Sequence, residues 1–156
     1  MPLLLRAGGL SGLLLRTNQI SRRLRGMARP IRSSLVAIKG WIKDNIAKRG
    51  ALQPGGWLPL RPSTIRRKMR ILGIGPARAA RPLVRTGMLR DAWTMEVGPR
   101  RGVLRSLVPY GGYHEHGTRK MSRRPVLPDH AHAVAVLRPI WDRYLNRAIH
   151  GKGGEE

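Results

Sequence analysis

The stretch AWTMEVGPRRGVLRSLV, residues 92–108, decides the fold class of this chain. Trp93, Met95 and Val97 alternate with polar residues, which is the two-residue period of a half-buried β-strand. Residues 98–102 contain two glycines and a proline and predict a turn, and residues 103–108 have the composition of a second strand. The pattern therefore predicts an antiparallel β-hairpin.

Long helical patterns lie on both sides of this hairpin. Between residues 17 and 49 the apolar residues recur every three or four positions, which indicates one stripe of an amphipathic helix: Ile20, Leu24, Met27, Ile31, Leu35, Ile38, Ile42 and Ile46. Pro30 interrupts the stripe and predicts a kink or a break, and Gly50 is a plausible C-cap.

Two further helices are predicted, one before the hairpin and one after it. Ser63 is placed to cap a short helix that runs to residues 69–72, and Asp129 to cap a final helix that ends near Ile149. The expected core face of the final helix is Val134, Leu137, Trp141, Leu145 and Ala148, and Pro139 lies inside its pattern. The segments between the elements, 51–62, 73–82 and 110–128, are rich in Gly, Pro or Arg and are expected to be irregular.

The order of helix, strands and helix predicts an α+β fold, with a long N-terminal helix and a C-terminal helix packed on a small antiparallel sheet. We expect a flexible N-terminal arm at residues 1–16, or a short amphipathic segment that docks on a neighbour. A single domain is expected at residues 17–150 and a disordered tail at residues 151–156. No apolar stretch reaches the length of a membrane span.

The charge of the chain is extreme, with 31 Lys and Arg against 8 Asp and Glu and a net charge of +23. Such a charge favours polyanionic partners, although a GC-rich genome also raises the arginine content. The excess is spread along the whole chain and there are only seven aromatic residues, Trp and Tyr together. Non-specific contact with a nucleic acid backbone is therefore more plausible than recognition of bases.

Catalytic and metal sites are poorly supported by the sequence. The chain has no cysteine, which excludes disulfides and thiolate metal ligands. His114, Glu115 and His116 form the best histidine cluster, but their spacing is not that of a helical zinc site, and polar loop residues explain them more simply. Because each acidic residue has many arginines to pair with, we expect no catalysis, no metal and no cofactor. A metal-dependent nuclease at this cluster is the weakest alternative.

Four ordered segments resemble those of the virion-morphogenesis family of tailed phages, the tail-completion and neck proteins of Mu-like, P2-like and lambda-like phages. The first is GWLPL at residues 56–60, followed by Thr64 and Lys68; the second is LVRTGMLR at 83–90. The third is YGGYHEHGT at 110–118 and the fourth is RPVLP at 124–128. Gly111 replaces a common alanine, and Val126 stands where an aromatic residue is usual.

The resemblance implies an α+β subunit with a curved sheet that assembles into a sixfold or twelvefold homo-oligomeric ring. The ring would join the head to the tail of the virion, beside head-completion and tail-terminator or tail-tube proteins, after assembly in the bacterial cytoplasm. Trp57 would be an anchor, Thr86 and Gly87 a helix or turn terminus, and the third segment a strand end and a tight turn. The residues that carry these structural roles are Trp57, Leu60, Thr86, Gly87, Leu89, Tyr110, His114, Gly117, Thr118 and Pro125.

Two basic stretches are candidates for contact with DNA in the lumen of such a ring, or with an acidic neighbouring ring. They contain Arg66, Arg67, Lys68, Arg119, Lys120, Arg123 and Arg124. The alternative hypothesis is a non-specific nucleic-acid-binding protein, such as a ribosomal or nucleoid component, and its support is the charge alone.

Overall fold

The computed structural model describes residues 8–24, 26–83 and 86–150, and the fold is mixed α+β as expected. The N-terminal half is helical, with α1 at Gly8–Leu24, α2 at Ala28–Ala47, α3 at Pro62–Leu72 and the single turn α4 at Pro76–Ala79. The C-terminal half contains α5 at Met88–Asp91, β1 at Trp93–Val97, β2 at Gly102–Ser106, α6 at Gly111–His116 and α7 at His130–His150.

The predicted hairpin is confirmed as the two-stranded antiparallel sheet of the described chain. Trp93 lies opposite Ser106 and Met95 opposite Leu104. The amide of Gly98 donates to the carbonyl oxygen of Arg101 at 2.7 Å and closes the turn. Trp93 is buried and Thr94 is exposed, as the alternation predicts, but Met95, on the same face as Trp93, is 38% exposed.

The hairpin packs directly against α2. A Cβ atom on Gly102 would lie 2.5 Å from Cγ2 of Ile31 and 3.0 Å from Cδ1 of Leu35, so glycine is what allows β2 to approach the helix so closely. The ammonium of Lys39 donates to the carbonyl oxygen of Trp93 at 2.9 Å, which fixes the edge of β1 to the same helix.

The long N-terminal pattern is two helices, broken before Pro30 as predicted. Pro30 lies in the first turn of α2, where an amide hydrogen has no partner within the helix and its loss costs little. After the helix, Arg49 and Gly50 both have positive φ, and the Gly50 amide donates to the carbonyl oxygen of Asn45 at 2.8 Å. The predicted C-cap is therefore two positions too late: α2 ends at Ala47 with Lys48 as its C-cap, and Gly50 closes the turn that follows.

Each end of the chain falls partly outside the described residues. A flexible arm is expected at 1–16, yet α1 begins at Gly8 and residues 8–16 are helical, because the leucines and polar residues there continue the amphipathic pattern of α1. Residues 1–7 and the predicted tail at 151–156 lie outside the described residues. No helix in the described part of the chain is long and apolar enough to cross a membrane.

One cluster of buried apolar side chains joins α2, the loop after it, α5, the hairpin and the segment before α7. Its members are Ile42, Ile46, Trp57, Leu89, Trp93, Val108 and Val126. The indole nitrogen of Trp93 donates to the carbonyl oxygen of Leu89 at 2.7 Å, so the polar end of this buried ring is satisfied inside the core.

The cap of α7 is confirmed, but its predicted core face is only partly correct. The carboxylate of Asp129 accepts the His132 amide at 2.9 Å, as an N-cap does. Ala148 is buried, whereas Val134 is 45% exposed and Leu145 is 39% exposed. The prediction is wrong for these two residues because α7 packs mainly on α2 and α1, which cover less of its surface than the apolar pattern suggests.

Two local predictions are corrected by backbone hydrogen bonding. Residues 110–118 are not a strand end: they contain helix α6, which Gly117 terminates with φ of +75° and a bond from its amide to the Tyr113 carbonyl. The tight turn lies just beyond, where Thr118 pairs with Met121. Helix α3 begins at Pro62 with Arg61 as its N-cap residue, since proline is favoured in a first helical turn, so Ser63 is not the cap.

Candidate binding groove

A cavity of about 1040 Å³ opens between α3, α5, α6 and the turn at residues 118–122. We call it the central groove. It is lined by Leu58, Pro59, Leu60, Arg61, Thr64, Lys68, Leu83, Thr86, Met88, Leu89, Tyr110, His114, Lys120, Met121, Ser122 and Arg124. The lining includes residues from all four segments that carry the family resemblance.

The predicted motif residues divide into two groups in the structure. Leu60, Thr86, Leu89, Tyr110 and His114 line the groove. The others lie outside the lining. Trp57 belongs to the core and bonds to the half-buried Pro125, Gly87 starts α5 with φ of +81°, and Gly117 and Thr118 form the turn after α6. A Cβ atom on Gly117 would lie 3.0 Å from the Arg123 amide nitrogen, so this turn is built tightly on the segment that follows it.

Trp57, which the resemblance gives as an anchor, contacts the fourth segment. Its buried indole nitrogen donates to the carbonyl oxygen of Pro125 at 3.0 Å, and the amide nitrogen of Asn45 donates to the same oxygen at 3.3 Å. The side-chain amide of Gln53 donates to the carbonyl oxygen of Leu127 at 2.6 Å. Side chains from α2 and the loop after it thereby supply hydrogen-bond donors to backbone carbonyl oxygens of residues 125–127, which lie outside the hairpin.

Glu115 has a structural role that the sequence did not reveal. Its carboxylate accepts the backbone amides of Val126 at 2.7 Å and Leu127 at 3.2 Å, so it holds the other side of the same segment. Its neighbours His114 and His116 differ in environment, since His114 is half-buried in the groove and His116 is exposed. No group of three or more metal-ligating side chains occurs among the residues that the structure describes.

Arg124 is the most unusual residue of the groove. It is only 7% exposed, and its guanidinium donates to the carbonyl oxygen of Leu58 from Nε at 3.3 Å and from Nη2 at 3.2 Å. Burial lowers the pKa of this guanidinium from its ordinary value. Arg124 therefore links the first and fourth segments, in addition to presenting positive charge to the groove.

His114 lies beside Arg124 in the same wall. Burial, and after it the nearby charge of Arg124, lowers the pKa of the His114 imidazole, because both effects disfavour the protonated ring. Its Nδ1 atom is buried and has no hydrogen-bond partner among the described residues. The ring of Tyr110 meets the imidazole edge-on, with 5.9 Å between the ring centroids.

The mouth of the groove is basic. Arg61 and Lys120 are exposed, and Lys68 is half-buried with its ammonium 2.7 Å from the carbonyl oxygen of Arg81. Burial lowers the pKa of Lys68. None of the described residues in the lining is acidic.

Comparisons with protein-family models, with curated proteins and with solved structures find no match for this chain.

The seven basic residues predicted to contact DNA or an acidic ring also divide into two groups, one inside the groove and one outside it. Lys68, Lys120 and Arg124 line the groove, whereas Arg66, Arg67, Arg119 and Arg123 are exposed outside it. Arg123 also donates to the carbonyl oxygen of Glu115 at 3.0 Å. The burial of Arg124 was not evident from the sequence, because a residue in a run of arginines and lysines is usually solvated.

Most acidic side chains of the described chain are engaged away from the groove. Asp91 pairs with Arg90 at 2.7 Å, Glu96 with Arg105 at 3.4 Å and Asp142 with Arg138 at 3.6 Å. In chemical terms the groove thus offers apolar walls, buried cationic and imidazole groups and a basic mouth. This arrangement suits the binding of an anionic group attached to an apolar body.

Proposed function

We propose that this chain is a structural subunit of a tailed-phage virion, which assembles into a ring at the head–tail junction and joins the tail to the DNA-filled head. In this proposal the ring has six or twelve copies and contacts head-completion and tail-terminator or tail-tube proteins. The role is one of assembly, without catalysis or a cofactor, and its place is the neck of the virion.

The observation that carries the proposal is the meeting of the four motif segments at one groove. Leu60, Thr86, Tyr110 and Arg124 each come from a different segment, and all line the same cavity. Residues that were singled out only for their order in the sequence therefore share one site in three dimensions. This shared location supports a common role for the four segments.

Exposed apolar side chains give separate support for assembly. Large apolar residues are 50% exposed or more on several elements, and they include Leu14, Leu15, Val36, Leu58, Ile71, Met88, Leu107, Tyr113 and Ile149. Scattered exposed leucines are normal on a monomer, but here they accompany a small core. A ring subunit needs two different contact surfaces, one for each neighbour, and these residues are suitable material for them.

The basic surface suits a position near packaged DNA. Arg66 and Arg67 on α3 and Arg119 and Lys120 in the turn after α6 are exposed, and the whole chain carries a charge of +23. Cations that line a DNA path attract phosphates without reading bases. The low aromatic content, with no phenylalanine, is consistent with contact of this non-specific kind.

The test is the quaternary structure of the purified chain and its place in particles. Sedimentation velocity and negative-stain imaging should show closed rings of six or twelve subunits, and a tagged copy should locate at the neck of purified virions. A monomer at all concentrations that is also missing from particles would refute the proposal.

The alternative, a non-specific nucleic-acid-binding protein, rests on the charge and the exposed arginines. It predicts a monomer whose affinity for duplex DNA or ribosomal RNA falls steeply with salt. A ring with weak affinity for free duplex favours the junction role, whereas a monomer that binds one RNA tightly favours the alternative.

A further inference from the structure

The wall of the central groove contains a positive charge that the described chain does not balance. Arg124 is 7% exposed, and its guanidinium donates hydrogen bonds to the carbonyl oxygen of Leu58. Within residues 8–24, 26–83 and 86–150 no carboxylate forms an ion pair with it. A neutral carbonyl offsets only part of the cost of removing a guanidinium from water, so an incoming anion would gain a strong, partly dehydrated partner.

His114 supplies a second unsatisfied group at the same place. Its Nδ1 atom is buried without a partner among the described residues, and both Arg124 and His114 line the groove. An imidazole in the tautomer with a proton on Nδ1 can donate to an oxygen atom while remaining uncharged. A guanidinium and an imidazole nitrogen in the same wall can each donate to an oxygen atom of one carboxylate.

The rest of the groove restricts what else the ligand contains. Leu60, Leu89 and Met121 contribute apolar wall, and Arg61 and Lys120 lie at the exposed mouth. The volume of about 1040 Å³ is at the upper end of the usual range of roughly 300–1,000 Å³ for small-ligand sites. It can therefore hold several side chains of an extended peptide, with apolar groups on the walls and carboxylates near the cations.

We propose that the central groove binds an acidic peptide segment of a neighbouring protein. One Glu or Asp carboxylate would contact Arg124 and His114, apolar side chains of the peptide would cover Leu60 and Leu89, and a second carboxylate would pair with Lys120 at the mouth. The inference goes beyond the proposed junction role, because the ligand chemistry of the groove can be measured whether or not the chain forms a ring.

The lining favours a peptide over a nucleic acid. A phosphate backbone would leave the leucine and methionine walls uncovered, and Tyr110 is the one Tyr or Trp in the lining that a base could stack on. The exposed arginines outside the groove, such as Arg66 and Arg67, are better placed for backbone phosphates.

The direct test uses the full chain and two labelled peptides. The first has the sequence Gly-Leu-Glu-Leu-Glu-Leu-Gly, and the second has Gln in place of each Glu. Fluorescence anisotropy in about 0.15 M salt, where distant charges are screened, should show the Glu peptide binding at least about tenfold more tightly than the Gln peptide. Equal affinities would overturn the inference, because the carboxylates would then contribute nothing.

Two matched pairs of charge reversals distinguish binding in the groove from attraction by the net charge of the protein. Arg61→Glu with Lys120→Glu changes the mouth of the groove, and Arg101→Glu with Arg147→Glu makes the same charge change at exposed positions elsewhere. The groove pair should weaken the Glu peptide roughly tenfold or more relative to the control pair. Equal losses in the two variants would mean that the peptide follows net charge alone and would disprove a site.

Arg124→Met tests the wall itself, and circular dichroism shows whether this variant still folds. A folded variant should lose the preference for the Glu peptide; if it does not fold, the exposed mouth variants alone decide the question. A competition with a duplex of about 20 base pairs tests the other ligand class. Displacement of the peptide by the duplex, together with selective loss of duplex binding in the groove pair, would identify a nucleic-acid site and overturn the peptide assignment.

Discussion

The indole nitrogen of Trp57 donates a hydrogen bond of 3.0 Å to the carbonyl oxygen of Pro125, which lies 68 positions further along the chain. This bond joins the first and the last of the four motif segments behind the central groove. Trp57, in the loop after α2, thereby helps to fix the positions of Arg124 and Val126 on either side of Pro125. The groove depends on the core beneath it, so changes to this core should alter both stability and binding.

Trp57→Phe should lower the free energy of unfolding by about 1–3 kcal/mol, because it removes a buried donor and leaves a small void. Asn45 continues to donate to the Pro125 carbonyl, which limits the loss. Trp57→Ala should cost about 3–5 kcal/mol, since most of the ring volume is lost. Urea unfolding followed by circular dichroism measures both values. A loss below about 0.5 kcal/mol for Trp57→Ala would contradict the anchor role.

Gly50→Ala should destabilise the chain by about 1–3 kcal/mol. Gly50 has φ of +83°, and a Cβ atom would lie 2.3 Å from Cγ of Trp57, so both the backbone and the indole oppose the substitution. Gly40→Ala is the control, because Gly40 lies inside α2 with nothing within 4 Å of its would-be Cβ atom. Gly40→Ala should instead stabilise the helix by about 0.5–1 kcal/mol. Denaturant titration of both variants shows whether the free energy of unfolding falls for Gly50→Ala and rises for Gly40→Ala.

Glu115→Gln should lower the free energy of unfolding by about 1–3 kcal/mol, because a neutral amide accepts the two amides of Val126 and Leu127 more weakly than a carboxylate does. Glu96→Gln serves as the control, since Glu96 and Arg105 form an exposed pair that should contribute less than about 1 kcal/mol. Thermal and urea unfolding of the two variants give the comparison. Equal effects would indicate that Glu115 does not hold the fourth segment.

Stability should fall with acidification below neutral pH through His114. Its folded pKa is lowered from the ordinary value of 6.5, so the unfolded chain binds a proton that the folded chain resists. The contribution of His114 to the free energy of unfolding is complete well above pH 6.5 and decreases as pH falls through that value. It stops changing once pH is below the folded pKa. His114→Leu should remove this part of the pH dependence, while His116→Gln, at an exposed position of the same helix, should leave it. Unfolding free energies at closely spaced pH values test the difference.

The hairpin, the break before Pro30, the end of α2 near Gly50 and the Asp129 cap were all predicted from the sequence. Each depends on residues within a few positions of one another, where periodicity and backbone conformational preference act directly. Local patterns predicted the structure less well in residues 110–118, where glycines indicate a turn although the segment forms a helix. Residues 110–118 resemble a turn-rich segment because of their glycines, yet Tyr110 and Tyr113 have partners that close helical turns.

The sequence by itself determined the α+β class, the positions of the main elements and the basic character of the chain, because these follow from local periodicity and composition. The tertiary structure decided that Arg124 is buried at Leu58, that Glu115 binds the amides of Val126 and Leu127, and that α7 leaves Val134 exposed. Those outcomes depend on contacts between residues far apart in the chain or between whole elements. Burial, and with it the charge environment of a side chain, is set by what packs over it, and a single sequence does not state which distant segment that will be.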